Sequence, residues 1–182
     1  MKKLIAAAAA LAAGAMVVAF LAWDRQGADG PLPVTGGTEV SFVAGIGESV
    51  SWGTPLPGVG NARVTLRSIE PVEVQNLEIV GIGICRSDPR PDAAGNITHC
   101  APINAMGWPP SGVDPEAVPG TEVTGSTDPL VDVIIGVRRS GDAADAGVIG
   151  SVRIVYEAGG VTYEAVQPWT LRLLPRDAQV GS

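Results

Sequence analysis

The single histidine of the chain, His99, stands directly before Cys100, and the only other cysteine is Cys85. A cysteine next to a histidine is the minimum needed for nucleophilic catalysis, in which an imidazole takes the proton of a thiol. Two physical points count against that use here. A cysteine held in a disulfide cannot attack, and neighbours on an extended chain point to opposite sides. Neither Gly-x-Ser-x-Gly nor Ser-x-x-Lys occurs anywhere in the sequence. Hydrolase chemistry, and enzymatic activity generally, is therefore not expected.

Metal chemistry meets a similar shortage. A blue-copper centre would draw on His99, Cys100 and Met106, but such a site takes two histidines with one thiolate, and one histidine leaves it incomplete. A looser copper or zinc site at His99, Met106 and an acid is the residual possibility. Asp88, Asp92 and Asn96, or Asp142 and Asp145, offer oxygen donors without the spacing of a Ca²⁺ loop, and turn-forming aspartates explain them. Glu70 and Glu73 suit solvated strand ends better than a glycosidase pair. Asn96-Ile97-Thr98 is a glycosylation sequon with meaning only in a eukaryotic secretory pathway. No cofactor and no metal are expected. Trp108, between Gly107 and Pro109-Pro110, is a candidate contact residue for a protein or glycan, and it forms with His99 and Met106 a possible binding loop. Its alternative role is to fold back and cover the domain.

The setting of these residues follows from the first 23. Met1-Lys2-Lys3 precedes twenty uncharged, almost wholly apolar residues, Leu4 to Trp23. Twenty helical residues at about 1.5 Å each span roughly 30 Å, the thickness of a bilayer core. The two lysines predict an N-in, single-pass anchor with the rest of the chain extracytoplasmic. Half of the run is alanine, so insertion rests on Leu4, Ile5, Leu11, Met16, Val17, Val18, Phe20 and Leu21. Ala13-Gly14-Ala15 would suit a signal peptidase and a secreted product, but Met16 to Trp23 stays apolar beyond it, which favours retention.

The chain has twelve basic residues and nineteen acids. Its only lysines are Lys2 and Lys3, so the part beyond the anchor sets ten arginines against nineteen acids, a net of −9. Such a surface excludes nucleic acid and anionic lipid as partners. An oxidising exterior favours a Cys85–Cys100 disulfide, worth about 3 kcal/mol for a loop of about 15 residues on chain-entropy grounds.

Residues 24–38 lack any apolar period and read as a Pro/Gly spacer reaching about 50 Å when extended. Within them Leu32-Pro33-Val34-Thr35-Gly36 matches the LPxTG pattern of sortase substrates. The match is formal, because in sorting signals the hydrophobic span and basic tail follow the motif, whereas here the span precedes it.

From Glu39 to Arg176 the period is two, as in strands with one buried face. Val40, Phe42 and Ala44 alternate, Val50 and Trp52 follow, and 53–60 reads as a turn. Val64 and Leu66 point inward. Leu77 to Cys85 is so rich in β-branched residues that both its faces are expected to be covered. Seven prolines break up residues 86–127, leaving little regular except 121–124, and make that loop the expected functional surface. Val131, Val133, Ile135 and Val137 share a face, 140–147 reads as a turn, and Glu157-Ala158-Gly159-Gly160 joins 152–156 to 161–166 in a hairpin with Tyr156 and Tyr163 near its tip. Trp169 to Leu174 adds a last strand, and 177–182 is a tail. The expectation is one all-β domain, an immunoglobulin-like antiparallel β-sandwich behind one N-terminal transmembrane helix.

Three stretches carry a likeness: Gly53-Thr54-Pro55-Leu56-Pro57, Val64-Thr65-Leu66-Arg67-Ser68-Ile69, and Val155 to Tyr163. Together they resemble uncharacterised membrane-anchored β-sandwich proteins common in high-GC Gram-positive bacteria. That resemblance implies a tethered sandwich and brings no activity with it. The expected function is that of a non-enzymatic interaction or accessory module of the cell envelope, contacting the membrane through its anchor and an envelope protein or glycan through its loops. The alternative is an envelope enzyme or metal-handling protein using His99 and loop acids.

Overall fold

A computed structural model describes residues 30–87, 99–101, 105–125, 130–141 and 144–176. The described residues form eleven strands. In chain order they are β1 (Thr38–Val43), β2 (Ser49–Pro55), β3 (Arg63–Val72), β4 (Leu77–Ser87), β5 (Ala105–Met106), β6 (Glu122–Thr124), β7 (Leu130–Arg139), β8 (Gly147–Ile149), β9 (Ser151–Ala158), β10 (Val161–Gln167) and β11 (Trp169–Leu174). They are ordered β10-β9-β3-β6 in one sheet, β4-β7-β2-β5 in a second and β1-β11-β8 in a third, smaller one. All pairs are antiparallel except β1 with β11, which run parallel. The architecture is all-β and sandwich-like, as the two-residue period requires. Among the described residues no helix is long and apolar enough to cross a membrane, and the anchor expected at 1–23 lies outside them.

Inward positions meet in one core: Trp52 from β2, Val64, Leu66 and Ile69 from β3, Ile84 from β4, Val133 and Ile135 from β7, Ile154 and Tyr156 from β9, Leu171 and Leu173 from β11. Two of these strands change parity midway. In β3 the inward residues step from Leu66 to Ile69, and in β4 from Ile79 to Ile82, each a step of three. At both steps the register shifts, between Leu66 and Ser68 and between Ile79 and Gly81. The extra residues, Arg67 and Val80, are β-bulges that keep the apolar side chains on one face across the break.

The hairpin of β9 and β10 closes on Gly159 and Gly160, both at positive φ (57° and 79°), which a two-residue turn with the twist of its flanking strands demands. Tyr156 and Tyr163 face each other across it with stacked rings, centroids 5.5 Å apart. The Tyr156 hydroxyl accepts a hydrogen bond from the Leu32 N–H at 3.3 Å.

The second half of the expected spacer is laid on the domain. Leu32 is 3% exposed and belongs to the core. Gln167, fully buried, donates from Nε2 to the Pro33 carbonyl at 2.8 Å and accepts the Thr35 N–H at 3.0 Å. The LPVTG residues are thus a clamped strap whose leucine fills a core position. The spacer expected over 24–38 is therefore part of the domain from Gly30 onward, and residues 24–29 lie outside the described residues.

Burial holds the Tyr156 phenol above its ordinary value of 10, and the Leu32 hydrogen bond offsets this only in part. The folded state therefore keeps its proton to higher pH than the unfolded chain does. The contribution to stability is complete below about pH 10 and is lost as pH rises through the native value. Urea midpoints should fall more between about pH 9 and pH 11 in the wild type than in Tyr156→Phe. Equal falls would show that this phenol does not set the alkaline limb.

Candidate functional site

The chemistry-bearing residues gather on the outer face of the β4-β7-β2-β5 sheet. On β7, Val131, Val133, Ile135 and Val137 take the core side, so Asp132, Ile134 and Gly136 take the other. On β4 beyond its bulge, Ile82 and Ile84 face inward, leaving Gly81, Gly83 and Cys85 outward. The register then places Gly81 opposite Gly136, Gly83 opposite Ile134, and Cys85 opposite Asp132. The outer face is floored with small residues, and the described residues 105–116 of the proline-rich segment lie on it.

Trp108 packs over the glycine pair. A Cβ built on Gly81 or Gly136 would lie 2.0 or 2.3 Å from indole atoms, and one on Gly83 would lie 2.5 Å from Pro115. The Ser51 hydroxyl donates to the Gly107 carbonyl at 2.5 Å, and the main chain of Glu116 exchanges hydrogen bonds with that of Ile84. β4 is thereby covered on both faces, by the core and by this segment, as its composition implies. Trp108 takes the covering role in place of the projecting contact. We predict that Gly136→Ala costs about 1–3 kcal/mol by overpacking, and close to nothing in a Trp108→Ala background where the ring is gone. Equal losses in both backgrounds, measured by denaturant unfolding, would reject the contact.

At one end of this face lies the disulfide, Cys85–Cys100, with an S–S distance of 2.04 Å. Asp132, 1% exposed, is its cross-strand neighbour. The Asp132 Oδ2 accepts the Ser87 hydroxyl at 2.8 Å and the Ala101 N–H at 3.3 Å, and it lies 3.4 Å from Cys100 Sγ. Its Oδ1 lies 3.0 Å from His99 Nδ1, and the His99 side chain is 42% exposed. Ser87 Oγ also accepts the Cys100 N–H at 2.6 Å. A buried carboxylate is tolerable only with such a set of donors.

Serine, histidine and aspartate are together here, yet not as a catalytic triad. There the imidazole bridges hydroxyl and carboxylate, whereas here the carboxylate bridges hydroxyl and imidazole, and the hydroxyl's proton points at Asp132. No activated nucleophile results.

Met106 stands apart from this cluster. It pairs with Val50 on β2, and Asp132 pairs with Pro55, five residues along the same strand or about 17 Å at the usual rise. The expected His99 and Met106 grouping is not assembled. Met106 is instead 60% exposed at the rim of a cavity of about 390 Å³, lined by Ser41, Phe42, Val43, Val50, Ala105 and Met106. On its other side β1 pairs only with β11 among the described strands, so its second edge is open.

Of the remaining candidates, Glu70 meets Arg153 in an exposed ion pair, and Asp145 gives its main-chain carbonyl to the buried guanidinium of Arg139. Asp88, Asp92, Asn96 and Asp142 lie outside the described residues. Asp132 and Ser87 are the site residues that spacing alone did not single out. The available signal was a lone acid within Leu130–Val137, placed by parity on the face opposite the four valines and isoleucines.

No protein-family model matches the chain, and no curated protein is significantly similar to it.

Proposed function

We infer that the protein is a non-enzymatic, immunoglobulin-like β-sandwich held outside the cytoplasm by Leu4 to Trp23, and that it serves the cell envelope as an interaction module. The observation that carries this reading is the open edge of β1 beside the apolar cavity rimmed by Phe42 and Met106. An unpaired strand edge offers alternate N–H and C=O groups to an added strand, and the neighbouring pocket reads its side chains. The favoured partner is an extended, apolar segment of another envelope protein. With Trp108 packed on the sheet, this edge replaces the indole as the proposed contact.

The number of residues before the docked strap fits the same reading. Six residues between Trp23 and the docked strap would keep the domain within about 20 Å of the bilayer, where partners in the same membrane are concentrated. The alternative, a metal-handling protein using His99 and acids, draws its support from Asp132 and not from the loop acids or Met106.

The test uses the full-length protein in its own membranes, with a photo-crosslinking residue at Met106 and, as control, at Thr162 on β10. A discrete adduct from position 106 that is lost in Phe42→Asp and absent from position 162 is expected. No adduct, or the same adduct from both positions, rejects the edge as the contact.

A further inference from the structure

The Cys85, Cys100 and Asp132 cluster is built more closely than a structural disulfide requires. Burying a carboxylate costs several kcal/mol before its partners repay it, and a disulfide sulfur, which has no proton to donate, is a poor partner. Yet Asp132 Oδ2 is held 3.4 Å from Cys100 Sγ and locked there by Ser87 and the Ala101 N–H. A tetrahedral zinc ion with bonds of about 2.3 Å to sulfur and about 2.0 Å to oxygen sets S and O about 3.5 Å apart and two sulfurs about 3.8 Å apart. The sulfur to oxygen edge of such a site already exists. What separates this arrangement from a metal site is the S–S bond itself.

We propose that reduction of the Cys85–Cys100 disulfide converts this cluster into a zinc site with Cys85, Cys100 and Asp132 as ligands and the His99 imidazole as the fourth. The reductant is a dithiol. Its two S–H groups pass two electrons and two protons to the disulfide, leaving a dithiol-derived disulfide and two cysteine thiols, and Zn²⁺ then displaces the two thiol protons. Cys85 and Asp132 are cross-strand neighbours on β4 and β7 and hold half of the set rigidly. Cys100 and His99 lie outside the strands, in the covering segment, so the separation of the sulfurs falls to that side of the set. Ser87 stays on the carboxylate, fixing its orientation as outer partners do at metal sites. Ile134 and Ala101 wall off one side, and the half-exposed ring of His99 marks the way in. The oxidised protein is a closed structural staple, and the reduced one a metal-holding form. The proposal stands independently of the β1 edge and of the membrane anchor.

Cobalt(II) serves as the probe, added to the full-length protein in detergent. The oxidised protein is expected to retain none. The protein reduced by a dithiol, after removal of the reductant, should bind one equivalent, with thiolate-to-cobalt charge transfer in the near ultraviolet and the strong visible bands of four-coordinate cobalt. Zinc should displace it, and reoxidation should release it. Asp132→Asn and His99→Ala should each weaken binding by about 10-fold or more. His99 is exposed enough that its loss leaves the fold intact should Asp132→Asn not fold. Absence of the charge-transfer band after reduction, equal binding by the oxidised protein, or wild-type affinity in His99→Ala each overturns the proposal.

Discussion

Leu32→Ala should lower the unfolding free energy by about 2–3 kcal/mol and release the segment from Gly30 to Gly37 to proteolysis while the rest of the domain stays folded. The residue sits outside every strand, in a stretch whose composition is that of a linker, yet its side chain fills the core beside Tyr156. Truncating a buried leucine costs about 2–5 kcal/mol. Here the loss is capped by the free energy with which the strap as a whole is held, since once the strap lifts nothing further is forfeited. Gln167→Ala should reach the same cap by another route. It deletes the three hydrogen bonds to Pro33 and to the N–H and hydroxyl of Thr35 and leaves a polar hole beside the strap. The two substitutions together should then cost little more than either alone, because they act on one cooperative segment. Additive losses would mean that Leu32 and Gln167 hold separate structures and that the strap is not a unit. With the membrane anchor proposed above, the same release would add the eight residues 30–37, about 28 Å of extended chain, between bilayer and domain. A partner that requires the domain close to the bilayer should be crosslinked less efficiently in Leu32→Ala, although position 106 is untouched.

The strap is held by contacts that leave no periodic trace in the sequence. Period-two alternation marks β1, β2, β3, β7, β9, β10 and β11, each with one face in the core, whereas β4 shows as a near-continuous run of β-branched residues, the mark of a strand covered on both faces. It was blind to Leu32, since one apolar residue among prolines and glycines has no period to belong to. It also missed β5 and β8, whose two and three residues are too short to alternate. Pro55 and Pro57 suggest a turn over 53–60, but β2 runs on through Gly53 and Thr54 to Pro55, which ends the strand where a missing N–H is tolerated. The β-branched composition of Leu77 to Cys85 implies that both faces of β4 are covered, without saying that Trp108 and Pro115 lie over Gly81 and Gly83. What ties residues 99–101 and 105–116 to that face is a set of contacts from Ala101, Trp108 and Pro115 to strands far away in sequence, and no local pattern encodes them.

Asp132→Ala should destabilise the oxidised protein by about 3–5 kcal/mol, because it strands a buried hydroxyl and a buried N–H and removes the partner of His99. Cleaving the disulfide by Cys85→Ala with Cys100→Ala should cost about 3 kcal/mol for a loop of this length, the chain separation being 15. The two losses are not expected to add. Both work by freeing the segment that carries His99, Cys100 and Ala101 from the outer face of β4 and β7. Once that segment is loose, water reaches the groups that Asp132→Ala would have stranded. The triple variant should therefore be more stable than the sum predicts by about 1–2 kcal/mol, well outside the few tenths expected of independent sites. Chemical denaturation of the four proteins in one buffer closes the cycle. A coupling energy near zero would mean that carboxylate and disulfide merely lie side by side. A large one would identify the covering segment as a single element latched at one end by sulfur and charge, the end at which reduction would open it. The Trp108 contact with Gly81 and Gly136 lies further along the same face and should persist in the reduced protein, so that the latch opens without exposing the sheet.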